Sequence, residues 1–249
     1  MSVKGFDFSS WQDAPDTPNI FPDFIKAKQQ AEFCVARAAY GITPDRIFPR
    51  GYDEAVKVGL ITGVYQFVDY RVTALQNFDY LIAKLAGRKP AFIALDLEQN
   101  ETYWPGGWPS DKVQLVKWCL NYYDAWKASG ITSPLILYTN VDTIKQMRVS
   151  TKLVELSTLM PLWVAWYSAT KPDLSSVLPW TKYLIWQPTP SAVGHLYGME
   201  SGNVDTDTWT GTIEELREFT KGTPIAPVVT GTLEERIAIV EQKLKDHGW

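Results

Sequence analysis

Short apolar runs recur along the chain, separated by segments whose apolar positions repeat every three or four residues. The runs fall at residues 3–8, 33–39, 60–67, 91–98, 134–139, 162–166, 183–187 and 204–207. Their length, the aromatic and β-branched side chains and the flanking Gly and Pro predict strands. Helical spacing predicts helices over residues 21–31, 52–58, 75–85 and 141–147, and over 110–129 with Ser110 as N-cap. Thr212-Ile213-Glu214-Glu215 is a capping box that opens a last helix to Thr220. Alternating strands and helices imply parallel βαβ units, and about eight strands in some 220 residues suggest a closed sheet. The expected fold is therefore α/β, an irregular TIM-like (β/α) barrel with about eight strands and fewer helices. The connections after the sixth and seventh strands carry no convincing helix. An open doubly wound sheet is the alternative, but no Gly-rich phosphate loop follows the first strand.

The predicted barrel spans residues 1–222. Residues 223–231, with Pro224 and Pro227, read as a linker, and residues 232–249 as a short C-terminal amphipathic helix. Its Leu233, Ile237, Val240 and Leu244 form an a/d stripe of about two heptads. That stripe suits either docking on the barrel or self-association into a homo-oligomer.

The strand ends carry the candidate chemistry. In a β/α barrel the active site sits at the C-terminal ends of the strands. Asp7 ends the first strand, Asp96 and Glu98 the fourth, and Asp205 the eighth. Asp96 and Glu98, spaced i, i+2, share one face of a strand. Barrel closure brings the first and eighth strands together, so these acids converge on one mouth. Tyr40, Tyr65, Tyr138, Trp166 and Trp186 lie at other strand ends and would line it. Asp207 is better read as orienting the loop before the last helix. Clustered acids raise one another's pKa values, which is how a carboxylic acid stays protonated near neutral pH to serve as a general acid. A carboxylate pair beside an aromatic cleft fits glycoside hydrolysis. The same acids could ligate a hard cation, although no phosphate loop or basic clamp accompanies them.

Composition narrows this further. The 249 residues carry a net charge of -4 and no basic cluster, which argues against a nucleic-acid partner. No apolar run approaches the roughly 18 residues of a membrane span. Two histidines and two separated cysteines offer neither a His-rich zinc site nor a disulfide framework, so no metal or cofactor is expected. Eleven Trp and twelve Tyr are many for this length; core packing accounts for most of them, and a surplus also suits a cleft that stacks sugar rings.

Gly5-Phe6-Asp7-Phe8-Ser9-Ser10-Trp11-Gln12, Gly63-Val64-Tyr65-Gln66-Phe67, Asp96-Leu97-Glu98, Ile185-Trp186-Gln187 and Gly202-Asn203-Val204-Asp205 occur in this order. Together they resemble glycoside hydrolase family 25, the N-acetylmuramidase lysozymes of bacteria and phages. The resemblance implies cleavage of the β-1,4 bond between N-acetylmuramic acid and N-acetylglucosamine in bacterial peptidoglycan. It assigns Glu98 as acid/base. It gives Asp96 either the substrate's acetamide to orient or positive charge at the anomeric carbon to stabilise. It places Asp7 and Asp205 as positioning groups, and Tyr40, Tyr65, Tyr138, Trp166 and Gln187 against substrate. Gln66 stands where the family commonly has His, and Asp207-Thr208-Trp209 is unusual after the eighth-strand acid. Residues 1–5 lack a secretory signal shape, so a phage-encoded enzyme would stay in the host cytoplasm until lysis and then act on the wall. The alternatives are a catalytically silent glycan-binding barrel or a structural component of a phage lysis or tail assembly.

Overall fold

A computed structural model describes residues 2–13, 21–99 and 109–221. The elements are β1 (Val3–Phe8), α1 (Phe24–Lys28), β2 (Phe33–Tyr40), β3 (Thr43–Pro44), α2 (Phe48–Lys57), β4 (Ile61–Phe67), α3 (Ala74–Leu85), β5 (Ile93–Asp96), α4 (Lys112–Ser129), β6 (Leu135–Asn140), α5 (Val141–Met147), α6 (Leu153–Leu159), β7 (Leu162–Ala165), β8 (Ile185–Val193), β9 (Asn203–Trp209) and α7 (Ile213–Thr220). The sheet runs β1-β9-β8-β7-β6-β5-β4-β2 and closes through a parallel β1–β2 pairing, with β3 a short flap on β2. This is an irregular eight-stranded barrel.

One strand departs from the expected parallel scheme. β9 runs antiparallel to both β8 and β1. Only a short 3-10 turn, Gly194–Tyr197, lies between β8 and β9. A parallel crossover needs a dozen or more residues, so the chain turns back as a hairpin. Asp205 therefore reaches the mouth because it lies near the beginning of a reversed strand, not at the end of a parallel one. Smaller differences concern helices. α6 was not anticipated. The side chain of Asp111, not Ser110, caps α4 by accepting from Val113 N at 2.9 Å. The capping box at Thr212 and Glu215 is present as expected. The linker at 223–231 and the helix at 232–249 lie outside the described residues. No helix among the described residues is long and apolar enough to cross a membrane.

Strand alternation sorts the side chains into two layers. Phe6, Phe8, Cys34, Val64, Leu95, Leu137 and Val164 face outward into the core beneath the helices. Val3, Phe33, Phe92, Ile136, Ile185 and Trp209 face inward, where Leu216 and Phe219 of α7 plug the lower end of the barrel. Gly5 and Gly63 belong to this inner face. A Cβ at either would lie 2.3 Å and 2.6 Å from the rings of Phe33 and Phe92, so aromatic side chains fill the barrel only because these positions are bare. The lower barrel is thus sealed and apolar, leaving the upper end for chemistry.

Candidate active site

The same alternation delivers polar groups to the upper inner face. Asp7 follows Val3 and Gly5 on β1, Tyr65 follows Gly63 on β4, and Asp96 follows Phe92 and Ala94 on β5. β5 ends at Asp96 rather than at Glu98 as expected. The chain nevertheless stays tied to β6, since Leu97 N donates to Tyr138 O at 2.9 Å and Thr139 Oγ1 donates to Leu97 O at 2.6 Å. Glu98 is therefore held just above Asp96, half-buried. A bulge in β2 between Arg37 and Ala39 re-phases that strand, so that Arg37 and Tyr40, three apart, both reach the interior.

Asp7, Asp96, Glu98 and Asp205 line a single cavity of about 280 Å³, together with Arg37, Tyr40, Tyr65, Tyr138, Trp163, Trp11 and Gln12. Trp11 sits in a short turn whose Ser9–Gln12 capping box holds it at the rim, 65% exposed. Arg37 is anchored by Asp45 at 2.8 Å and donates to Ser10 Oγ at 3.1 Å, which leaves its positive charge beside Asp96 and Tyr65.

A hydrogen-bonded chain crosses the floor. Tyr138 Oη donates to Gln187 Oε1 at 2.8 Å, and Gln187 Nε2 donates to Asp7 Oδ2 at 2.8 Å. Gln187 is 1% exposed, so it acts through Asp7 and Tyr138. Tyr167 extends the chain to the rim, within hydrogen-bonding reach of Tyr138 and in the field of Glu98. Trp166 is absent from the cavity lining; its backbone pairs with Gln187 O and with the Trp186 ring N–H. Trp186 itself packs in the outer core. Gln66 also faces outward. It donates to Gly41 O and Asn77 O and accepts from Tyr122 Oη, so its departure from the family pattern does not touch the mouth.

Asp207 corrects the sequence reading most. It points into the barrel, 2% exposed, and accepts a 2.9 Å hydrogen bond from Trp163 Nε1. Its signal was available: it stands i+2 from Asp205, the same spacing as Asp96 and Glu98. Arg37, a lone charge in an apolar strand, was the other overlooked signal. The neighbour Tyr167, rather than Trp166, is the rim aromatic that feels Glu98.

Burial and mutual repulsion raise the acids above the ordinary carboxylate range. Burial pushes Glu98 up to about 7. Asp96 is raised well above the carboxylate range by burial, then by Glu98 and Asp7, with Arg37 opposing. Asp205 is raised to about 9 by burial, then by Asp7 and Glu98. Among the described residues no three acids, His or Cys converge as a metal-holding group. Glu98, the acid nearest neutrality, can both give and take a proton near pH 7.

A barrel mouth that gathers buried acids under exposed aromatics, with one acid poised near neutrality, is the apparatus of a glycoside hydrolase. The family model for glycosyl hydrolases family 25 matches residues 6–194, and the chain belongs to that family. The match ends before β9, so Asp205 and Asp207 lie beyond it. Solved structures agree in fold. A lysozyme from Streptomyces coelicolor is 23% identical, with a TM-score of 0.73 over 90% of this chain and 99% of its own. A muramidase from Trichobolus zukalii is 24% identical, with a TM-score of 0.69 over 89% and 100%. A family 25 glycosyl hydrolase from Bacillus anthracis is 19% identical, with a TM-score of 0.69 over 88% and 93%. No match was found among curated proteins.

Proposed function

We propose that this glycoside hydrolase is a muramidase that cleaves the β-1,4 bond between N-acetylmuramic acid and N-acetylglucosamine in peptidoglycan. The observation that carries the proposal is the Asp96–Glu98 pair at the mouth, with Glu98 pushed up to about 7 by burial. Family membership and the structural likeness to a muramidase and a lysozyme support the substrate. Glu98 protonates the leaving oxygen and then, ionised, activates water. Asp96 orients the N-acetyl group, whose carbonyl oxygen attacks the anomeric carbon, so configuration is retained. Asp7 and Asp205 position the sugar, and Tyr40, Tyr65 and Tyr138 line its path. Retention of both members of the carboxylate pair disfavours a silent glycan-binding barrel.

Mass spectrometry of digested peptidoglycan tests this reading. Products should end in reducing N-acetylmuramic acid and should be absent with Glu98→Gln. Reducing N-acetylglucosamine ends, or undiminished release by the variant, would overturn it.

A further inference from the structure

We propose that Asp207 is a positioning residue that shares one proton with Asp7 at the floor of the site and thereby fixes the charge facing the reacting sugar. The role in hydrolysis rests on the muramidase reading; the shared proton does not. In the β1–β9 register, Asp205 lies opposite Asp7 and Asp207 lies opposite Gly5, one inward position deeper. Gly5 carries no side chain, and the Phe33 ring packs against its bare backbone, closing the floor beneath the two acids.

Each acid also accepts one hydrogen bond from a buried neighbour. Trp163 Nε1 donates to Asp207 Oδ1, and Gln187 Nε2 donates to Asp7 Oδ2. Asp207 Oδ2 is buried and accepts from no donor. The two carboxyl groups are within hydrogen-bonding reach of each other. Carboxylate oxygens only accept, so such a contact exists only when one acid carries a proton. Burial and then Asp207 raise Asp7, while burial and then Asp205 raise Asp207, with Trp163 and the contact to Asp7 opposing. The titratable groups facing this pair are Asp205 on β9 itself, Asp96 on β5 and Glu98 after it, Tyr65 on β4, Tyr138 on β6, Tyr167 at the rim, and Tyr197 from the turn before β9.

The consequence concerns where the negative charge sits. With one proton shared, part of the pair's single charge lies on the deeper Asp207, away from Glu98. Asp207→Asn keeps the shape and an oxygen for Trp163. Its amide, however, donates to Asp7, which then holds the whole charge nearer the mouth. The charge now facing Glu98 favours its protonated form.

Carboxyl carbon NMR on selectively labelled protein reads the proton directly. In the native enzyme the Asp7 and Asp207 carboxyl carbons should report the same coupled steps, with the shared proton lost well above the ordinary carboxylate range. In Asp207→Asn, Asp7 should titrate at least one pH unit lower, and the alkaline limb of the rate profile should move upward by about half a unit. Asp207→Leu, which supplies no donor, should give no such stabilisation of the Asp7 carboxylate. An Asp7 titration unchanged in Asp207→Asn would overturn the shared proton, whatever the enzyme's substrate proves to be. A changed titration with an unmoved rate profile would overturn the positioning role. A merely space-filling Asp207 predicts neither change.

Discussion

Gln66 and Asp96 lie on adjacent strands, β4 and β5, and both are buried polar side chains. They point in opposite directions, and the barrel treats them differently. Gln66 faces the helices, donating to Gly41 O at 2.9 Å and to Asn77 O at 2.8 Å and accepting from Tyr122 Oη at 2.8 Å. Nearby Asn77 closes the network by donating to Asp69 O and Thr73 O. Asp96 faces the cavity, and its Oδ1 accepts from no donor. Asp207, also facing in, repeats that pattern. A satisfied buried network stabilises, while an unsatisfied buried acid costs stability and is kept for another reason. The outer network is therefore read as framework and the inner acids as chemistry.

The largest expected effect separates the two by activity. Glu98→Gln removes the exchangeable proton without changing size. Turnover should fall at least about a thousandfold, some 4 kcal/mol of barrier, while the melting temperature stays level or rises. A parallel measurement of muropeptide release and thermal unfolding checks both halves. Loss of activity accompanied by unfolding would erase the distinction between the regions.

The converse test is Gln66→Leu. It strands Gly41 O and the Tyr122 hydroxyl in a dry interior, which should cost about 2–3 kcal/mol of stability. Turnover per folded molecule should remain within about twofold. Urea unfolding alongside active-site-normalised kinetics measures it. A variant that stays stable but turns over slowly would move Gln66 from framework to mechanism.

The pH dependence sharpens the inner half. Glu98 must be protonated to donate, and it sits at about 7. The rate should therefore hold below that value and fall about tenfold per unit above it. In Glu98→Gln the residual rate should lose this limb. A native limb displaced into the ordinary carboxylate range would show that Glu98 is not held up by burial.

The same contrast explains what was legible in the sequence. Position at strand ends draws Asp7, Asp96 and Tyr65 to the mouth in the sequence, because the strand pattern is local and survives into the barrel. The barrel class followed from the alternation of strands and helices. The direction of β9 was not legible, since it depends on how the chain closes against β1, a contact between residues some 200 positions apart. Asp205 was placed at the mouth through a parallel strand that does not exist. Reading Asp207 as a group that orients the loop before the last helix fails for the same reason: only the reversed register sets it opposite Gly5. Gln187 bears the mark of the long-range problem too, because its burial beneath Asp7 comes from strands at the two ends of the chain. Trp166 and Trp186 were misjudged by treating every strand-end aromatic as part of the lining, when alternation sends neighbours to opposite sides.

If inner acids held together by burial cost stability, removing one ionisable group should flatten the pH dependence of folding. Asp205 is the clearest case, raised to about 9 by burial, Asp7 and Glu98. An unfolded aspartate titrates near about 4. Between these values the unfolded chain releases a proton that the folded chain keeps, so stability falls as pH rises from about 4 toward 9. Asp205→Asn should remove that contribution, stabilising the fold by about 1 kcal/mol at pH 8 and by nothing measurable at pH 4. Glu32→Gln, an exposed acid paired with Lys28 on the outer surface, should leave the native slope in place. Thermal unfolding of the three proteins between pH 4 and 9 reads the difference. Equal slopes for native enzyme and Asp205→Asn would mean that the acid is solvated in the folded state, and the inner cluster would then cost the fold less than its burial implies.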